Sequence, residues 1–279
     1  MKLTIFQVPY DSGHHAERMG RGPLHLVDGG LARRLRDGGH DVELTSIVLD
    51  GFLTEVGSAV AIQRRLALAV ADARRAGRLP VVLSGNCNTA VGTLAGVGTA
   101  TTGVVWFDAH GDFNTPETSP TGFFDGMALA VACGHCWRVA TATVPGFAPL
   151  PERNVLMVGV RDLDPLEEKR LAASDVARLA AADLRRDGME PVESWRLSAR
   201  VAGIERLYLH VDLDVLDPSQ VRANPYAAAG GLTVDELLGV AATVLKELDV
   251  AAVAITSYDP ACDREDRVPE VTARLIESL

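Results

Sequence analysis

Cysteine is scarce in this chain, with four residues (Cys87, Cys133, Cys136 and Cys262) in 279, too few to frame a disulfide-stapled fold of this length. Long apolar runs are missing too. No stretch reaches about 18 apolar residues, so no membrane span is expected. The first residues, M-K-L-T-I-F-Q-V-P-Y, hold too short an apolar run for a secretory signal and lack a small-residue cleavage site. The expectation is therefore a cytoplasmic protein. Positive charge is also short. Lys and Arg number 27 against 37 Asp and Glu, a net charge of −10, whereas nucleic-acid binding needs a concentrated positive surface. The basic pairs Arg64-Arg65 and Arg74-Arg75 sit in Ala-rich helical sequence and read as solvated faces. Internal repeats, low-complexity tracts and an obvious linker are absent as well.

What is present fits a globular protein with a sizeable core, since hydrophobic residues make up 47% and charged residues 23%. Apolar runs suited to buried strands occur at 2–8, 42–48, 79–83, 104–107, 154–160, 207–211 and 250–255. Helical spacing occurs at 24–36, 60–75, 90–97, 126–133, 171–185, 234–248 and 268–279. Strands alternating with helices predict an α/β fold, three layers (α/β/α) around a mostly parallel sheet of about eight strands, as one domain over 1–279. In such sheets ligands gather where strands deliver their carboxyl ends.

Two strand ends carry ligand-type residues. V-V-W-F ends in Asp108, His110 and Asp112, and L-Y-L-H-V ends in Asp212 and Asp214. Residues two apart on a strand point the same way. Carboxylates leaving a buried strand cost desolvation energy unless a positive charge sits among them. A single Asp-x-Asp after a strand also serves as a helix cap or turn. Two such clusters in one chain, offering five ligands, suit a pair of divalent ions about 3.5–4 Å apart.

The segments D-A-H-G-D-F-N-T-P and H-V-D-L-D-V-L-D-P resemble the signature motifs of the ureohydrolase family, the arginases, agmatinases and relatives. R-M-G-R-G-P, S-G-N-C-N, G-V-R-D-L-D-P-L-E and G-G-L-T match further landmarks in order, so the likeness spans nearly the whole chain. It implies an arginase-like fold and two divalent metal ions. Asp108 and Asp212 would bridge them, Asp112 would complete one site, and His110 and Asp214 the other. The family's remaining ligand is a histidine, matched here by Cys87. Manganese is the family's metal, while a thiolate favours zinc or iron. A free buried cysteine is the other reading of Cys87.

The resemblance further implies that hydroxide attacks a guanidinium carbon, with Asp112 passing its proton to the leaving amine. Asp125, in the segment that begins at Thr121, stands where arginases carry a proton-shuttling histidine. It is expected either to act as an acid or to pair with a cationic substrate. Ser257 stands where a glutamate grips the guanidinium. Asn114, Asp164 and Glu167 match positions around the amino-acid end of the substrate, and Thr121 joins them as a substrate-binding candidate.

The function so implied is metal-dependent hydrolysis of a C–N bond in a guanidino compound, arginine-like or an N-substituted arginine. Urea or a substituted urea and an amine are the products. A formimino or amide hydrolase of the same fold, and a non-catalytic metal- or ligand-binding relative, are the alternatives. A small molecule is the expected partner, and family members often form homo-oligomers. Outside this constellation, Cys133-Gly134-His135-Cys136 reads as a redox pair, half a zinc site or plain structure. His14 and His15 read as solvated or lining a pocket mouth. His210 reads as a packed residue, a group that supports a metal ligand, or an added ligand.

Overall fold

The computed structural model describes all of residues 1–279. Eight strands form the central sheet. They are β1 (Lys2–Val8), β2 (Asp41–Ser46), β3 (Leu79–Ser84), β4 (Thr102–Phe107), β5 (Val155–Val158), β6 (Ala177–Leu179), β7 (Arg206–Asp212) and β8 (Asp249–Thr256). Across the sheet their order is β2-β1-β3-β8-β7-β4-β5-β6, and every ladder is parallel. A sheet buried on both faces demands continuous apolar runs rather than alternation. Accordingly V-V-W-F and L-Y-L-H-V lie wholly inside.

Two cores of comparable size, 42 and 36 buried residues, cover the two faces. Leu3, Ile5, Val105, Phe107, Leu209 and Val253 face one; Phe6, Val82, Trp106, Tyr208 and Ala254 face the other. Strict alternation along each strand thus deals side chains to both helical layers. The first layer contains α1 (Gly22–Asp28), α2 (Leu31–Asp37), α8 (Ala181–Asp187), α9 (Glu190–Val201), α10 (Val234–Val244) and α11 (Val268–Glu277). The second is built mainly on α3 (Glu55–Arg75), α4 (Ala90–Val97) and α5 (Ala128–Ala132). The short helices α6 (Arg138–Thr141) and α7 (Pro165–Ala172) lie in the connections on either side of β5.

Three local readings change. The helix expected over 24–36 is two, because the chain turns at Gly29-Gly30, where Gly30 takes φ 92°. The helix expected over 171–185 is interrupted by the edge strand β6. Ser174 Oγ donates to the Leu171 carbonyl and accepts the Val176 N–H, so its side chain replaces helical bonding. Helix α9, absent from the sequence reading, begins at Glu190-Pro191, a helix-start proline that reads as a breaker in sequence alone.

The order of the strands creates the site. Strands β3, β8, β7 and β4 are adjacent at the centre, although they come from distant parts of the chain. Their carboxyl ends deliver Cys87, Ser257, Asp212 and Asp108 to one edge. The connections that leave β3 and β4 run to α4 and α5 on one face of the sheet, whereas those that leave β7 and β8 run to α10 and α11 on the other, so a crevice opens at these carboxyl ends.

Candidate metal centre

Asp108, Asp112, Asp212 and Asp214 are all buried at this edge, the most exposed of them at 7%. Four carboxylates in so small a volume repel, and burial raises the cost of ionising each. Burial first, then the neighbouring carboxylates, pushes Asp112 and Asp212 well above the usual carboxylate range. Asp214 is also buried, but His110 and Asn224 hold it below its ordinary value.

Ligand atoms fall into two groups that share one residue. Cys87, Asp108 and Asp212 converge within 4.8 Å of one another, and so do Asp108, His110 and Asp214. Between neighbouring strand ends, Asp108 serves both. Its Oδ1 accepts the His110 N–H at 2.7 Å and its Oδ2 accepts Trp106 Nε1–H at 3.0 Å. Asp212 Oδ2 accepts the Cys87 thiol at 3.0 Å and its Oδ1 accepts the Asp214 N–H at 2.9 Å. Asp214 is held by the Ala109 N–H at 3.1 Å and by Asn224 Nδ2 at 3.1 Å.

His110 Nδ1 lies 3.4 Å from both Asp108 Oδ1 and Asp214 Oδ2. Burial disfavours its cation, but the two carboxylates override this and push its pKa up to about 12. Asp112 supplies the clearest sign of an intended cation. Its Oδ2 is buried with no hydrogen-bond partner, and its backbone sits at φ 48°, strained for a residue with a side chain. A buried carboxylate oxygen without a donor fits a metal, and the mixed set of imidazole, thiol and carboxylates accepts divalent transition ions. The residues present therefore fit a dinuclear centre.

The crevice above these groups has a volume of about 250 Å³. Cys87, His110, Asp112, Asp212 and Asp214 form its floor, while Asp108 lies beneath them. Asn114, Thr121, Asp164 and Glu167 line one side, and Ser257 and Asp125 also reach the cavity. Asn114 Nδ2 donates to Asp164 Oδ2 at 2.9 Å. Glu167 is occupied differently, since its carboxylate accepts the Phe113 N–H at 2.8 Å and the Asp164 N–H at 3.3 Å. It frames the loop rather than offering a free charge to a ligand. Ser257 takes φ 63° and its hydroxyl stands 3.5 Å from Cys87 Sγ.

A sequence model described as the Arginase family matches residues 1–279. The chain belongs to this family. As an arginase-family protein it is a metal-dependent amidinohydrolase, and the family binds a dinuclear metal centre. It is 31% identical to the arginase of Bacillus caldovelox, over 99% of this chain and 97% of that protein. Against the arginase of Bacillus subtilis strain 168 it is 30% identical, over 99% and 97%. The crystal structure of the latter superposes with a TM-score of 0.89 at 29% identity, covering 100% and 98% of the two chains. Entamoeba histolytica arginase, solved with L-ornithine, superposes at 0.87 with 26% identity, covering 100% and 97%. The three-layer fold is thus that of the arginases.

Other expectations change in this arginase-family chain. Donors on residues 86–88 occupy both oxygens of Asp125. Burial pushes its pKa up to about 7 while those donors pull the other way. His210 is fully buried, stacked on Trp106 at 3.6 Å, with Nδ1 against Tyr208 Oη at 2.8 Å, and lies in neither ligand group. His14 and His15 are exposed and do not line the cavity. Cys133 and Cys136 are free thiols, both pushed above the ordinary value by burial, the opposite of an activated redox pair. No helix is long and apolar enough to cross a membrane.

Sequence reasoning missed several residues of the site. Asn224 ties Asp214 to the Ser257 carbonyl, and Tyr226 and Phe123 flank the mouth with ring centroids 6.1 Å apart. The only sequence signal for Asn224 was a polar residue before proline in a loop near the second motif.

Proposed function

We propose that this chain hydrolyses a C–N bond of a guanidino compound, with an N-substituted arginine preferred over arginine itself. One observation carries the reading. The acceptor expected to grip a guanidinium cation is a neutral hydroxyl, Ser257, while the ligand floor and the polar wall of Asn114 and Asp164 are retained. A substituent that withdraws electrons lowers the basicity of a guanidine, so such a substrate needs no carboxylate at that position. Asn114 and Asp164, with Thr121 at the rim, would receive the charged amino-acid end.

Cys87, Asp108, Asp112 and Asp212 would hold one ion, and Asp108, His110, Asp212 and Asp214 the other. Bound there, two divalent ions lower the pKa of water and polarise the substrate. Manganese is the metal we assign by family, with zinc or iron favoured by the thiolate of Cys87. Asp112 does the proton work on this reading. It lines the crevice, and burial together with the neighbouring carboxylates raises its affinity for a proton. It would take the proton from the attacking water and return it to the departing nitrogen, which leaves as an amine. The narrow crevice orients the planar carbon. The four free thiols suit a reducing cytoplasm, where we place the protein.

The test is turnover of metal-loaded protein on arginine, N-hydroxyarginine, agmatine and formiminoglutamate, with products identified by mass. Release of a substituted urea together with ornithine from the N-substituted substrate, faster than urea from arginine, is the expected result. Formamide release, or no turnover by protein holding two ions, overturns it.

A further inference from the structure

Asp125 lines the cavity, and its side-chain hydrogen bonds all run to one short turn just past the end of β3. Its Oδ2 accepts Asn86 Nδ2 at 2.8 Å and the Cys87 N–H at 3.0 Å. Its Oδ1 accepts the Asn88 N–H at 2.8 Å and Asn88 Nδ2 at 2.9 Å. Two main-chain and two side-chain donors from three consecutive residues thus converge on one carboxylate, itself only 6% exposed. The turn is braced from its other side as well. Asn86 Oδ1 accepts the Ser12 N–H at 2.8 Å, and the Asn86 carbonyl accepts Ser84 Oγ and Thr89 Oγ1.

We propose that Asp125 is a positioning residue, which fixes the 86–88 turn so that Cys87 Sγ is presented beside Asp108 and Asp212. The inference rests on Cys87 being a metal ligand. Its physical basis is the reach of the side chain. A cysteine has a single rotatable bond before its sulfur, so once the backbone of residue 87 is fixed, only a few rotamers remain for Sγ. Asp212 and Thr256 Oγ1, at 3.0 and 3.2 Å, then select one of them. A longer ligand can adjust through further torsions; this one depends on its backbone. Metal sites commonly rely on such supporting hydrogen bonds, which act through the ligand rather than on the ion. All four acceptor sites of the carboxylate face donors, which also explains why Asp125 touches no free group in the crevice.

Cobalt(II)-loaded protein tests this, read by the thiolate-to-cobalt charge-transfer absorption and by metal content per chain, with a thermal melt to establish folding. Wild-type protein is expected to show the band and Cys87→Ala to lack it. Asp125→Asn, which turns an amide NH2 toward two donors, is expected to lose most of the band and to bind its metals on the order of 10- to 100-fold more weakly. If that variant does not fold, Asn88→Ala removes one donor and leaves Asp125 in place, and a weakened band with at least a severalfold loss of affinity is expected. An undiminished band and full metal content in these variants overturns the inference alone. So does Asp125→Asn that loses turnover with band and metal content intact, the mark of a proton shuttle. A wild-type protein without the band overturns Cys87 as a ligand, and this inference with it.

Discussion

Trp106, on β4, donates its indole N–H across 3.0 Å to Oδ2 of Asp108, the residue just past the end of that strand. The His110 N–H holds the other oxygen, so the carboxylate shared by both ligand groups is fixed at each end. Stacking on His210 at 3.6 Å keeps the indole in its plane. Trp106→Phe preserves most of the ring and removes the donor. It is expected to weaken metal binding on the order of 10- to 100-fold, with a stability loss of about 1–3 kcal/mol. Metal titration of the folded variant checks this, and wild-type affinity would show that Asp108 needs no such anchor.

Metal uptake should release protons. In the metal-free protein His110 is held as a cation by Asp108 and Asp214, with its pKa up to about 12, and burial keeps the Cys87 thiol protonated. Ligands must shed these protons before they coordinate. Affinity is therefore expected to rise with pH between about 6 and 8.5, by about a factor of ten per pH unit for each proton released. Titration calorimetry at one pH in buffers of different ionisation enthalpy counts the protons; a count of zero contradicts this account of His110 and Cys87.

The convergence of these candidate residues at one edge was legible because they are written in strand ends. Asp108, His110, Asp112, Asp212 and Asp214 follow apolar runs directly, and period-two alternation alone sends each pair one way. The parallel sheet followed from the same runs. What was hidden depends on contacts between distant segments. That the donors for Asp125 would be Asn86, Cys87 and Asn88 is a matter of tertiary placement. Edge strand β6 was hidden for a different reason, since Ala177–Leu179 is too short and too helical in composition to show a strand pattern.

Outside the centre, Asp217 closes the loop that follows the second motif. It accepts the N–H groups of Ser219, Gly230 and Gly231, at 2.9, 2.7 and 3.1 Å. Ser219 first, then the glycine amides, brings its pKa down to about 2 from 3.8. A depressed carboxylate stabilises the fold above its unfolded pKa, and the contribution disappears as pH falls through the folded value. Solvent screening at this partly exposed position limits it to roughly 1 kcal/mol. Urea unfolding of Asp217→Asn should show that deficit constant from pH 7 to about 4 and shrinking below it. A deficit that does not narrow in acid would assign the loss to shape rather than charge.

Gly111 sits between the candidate ligand residues His110 and Asp112, and its hydrogen faces Glu167. A Cβ there would lie 2.6 Å from Glu167 Oε1 and 2.7 Å from Leu163 Cδ2, closer than side chains pack. Glu167 cannot retreat cheaply, because it accepts the Phe113 and Asp164 N–H groups and closes the cap of α7. Moving it frees the amide just beyond Asp112, whose backbone is already strained at φ 48°. Gly111→Ala is therefore expected to cost about 2–3 kcal/mol of stability and to reduce turnover at saturating substrate more than it changes KM. Glu167→Gln keeps the shape and one acceptor, so it should fall between the wild type and Gly111→Ala in both melting and turnover. If Gly111→Ala melts and turns over like the wild type, the glycine is not what holds Asp112 in place.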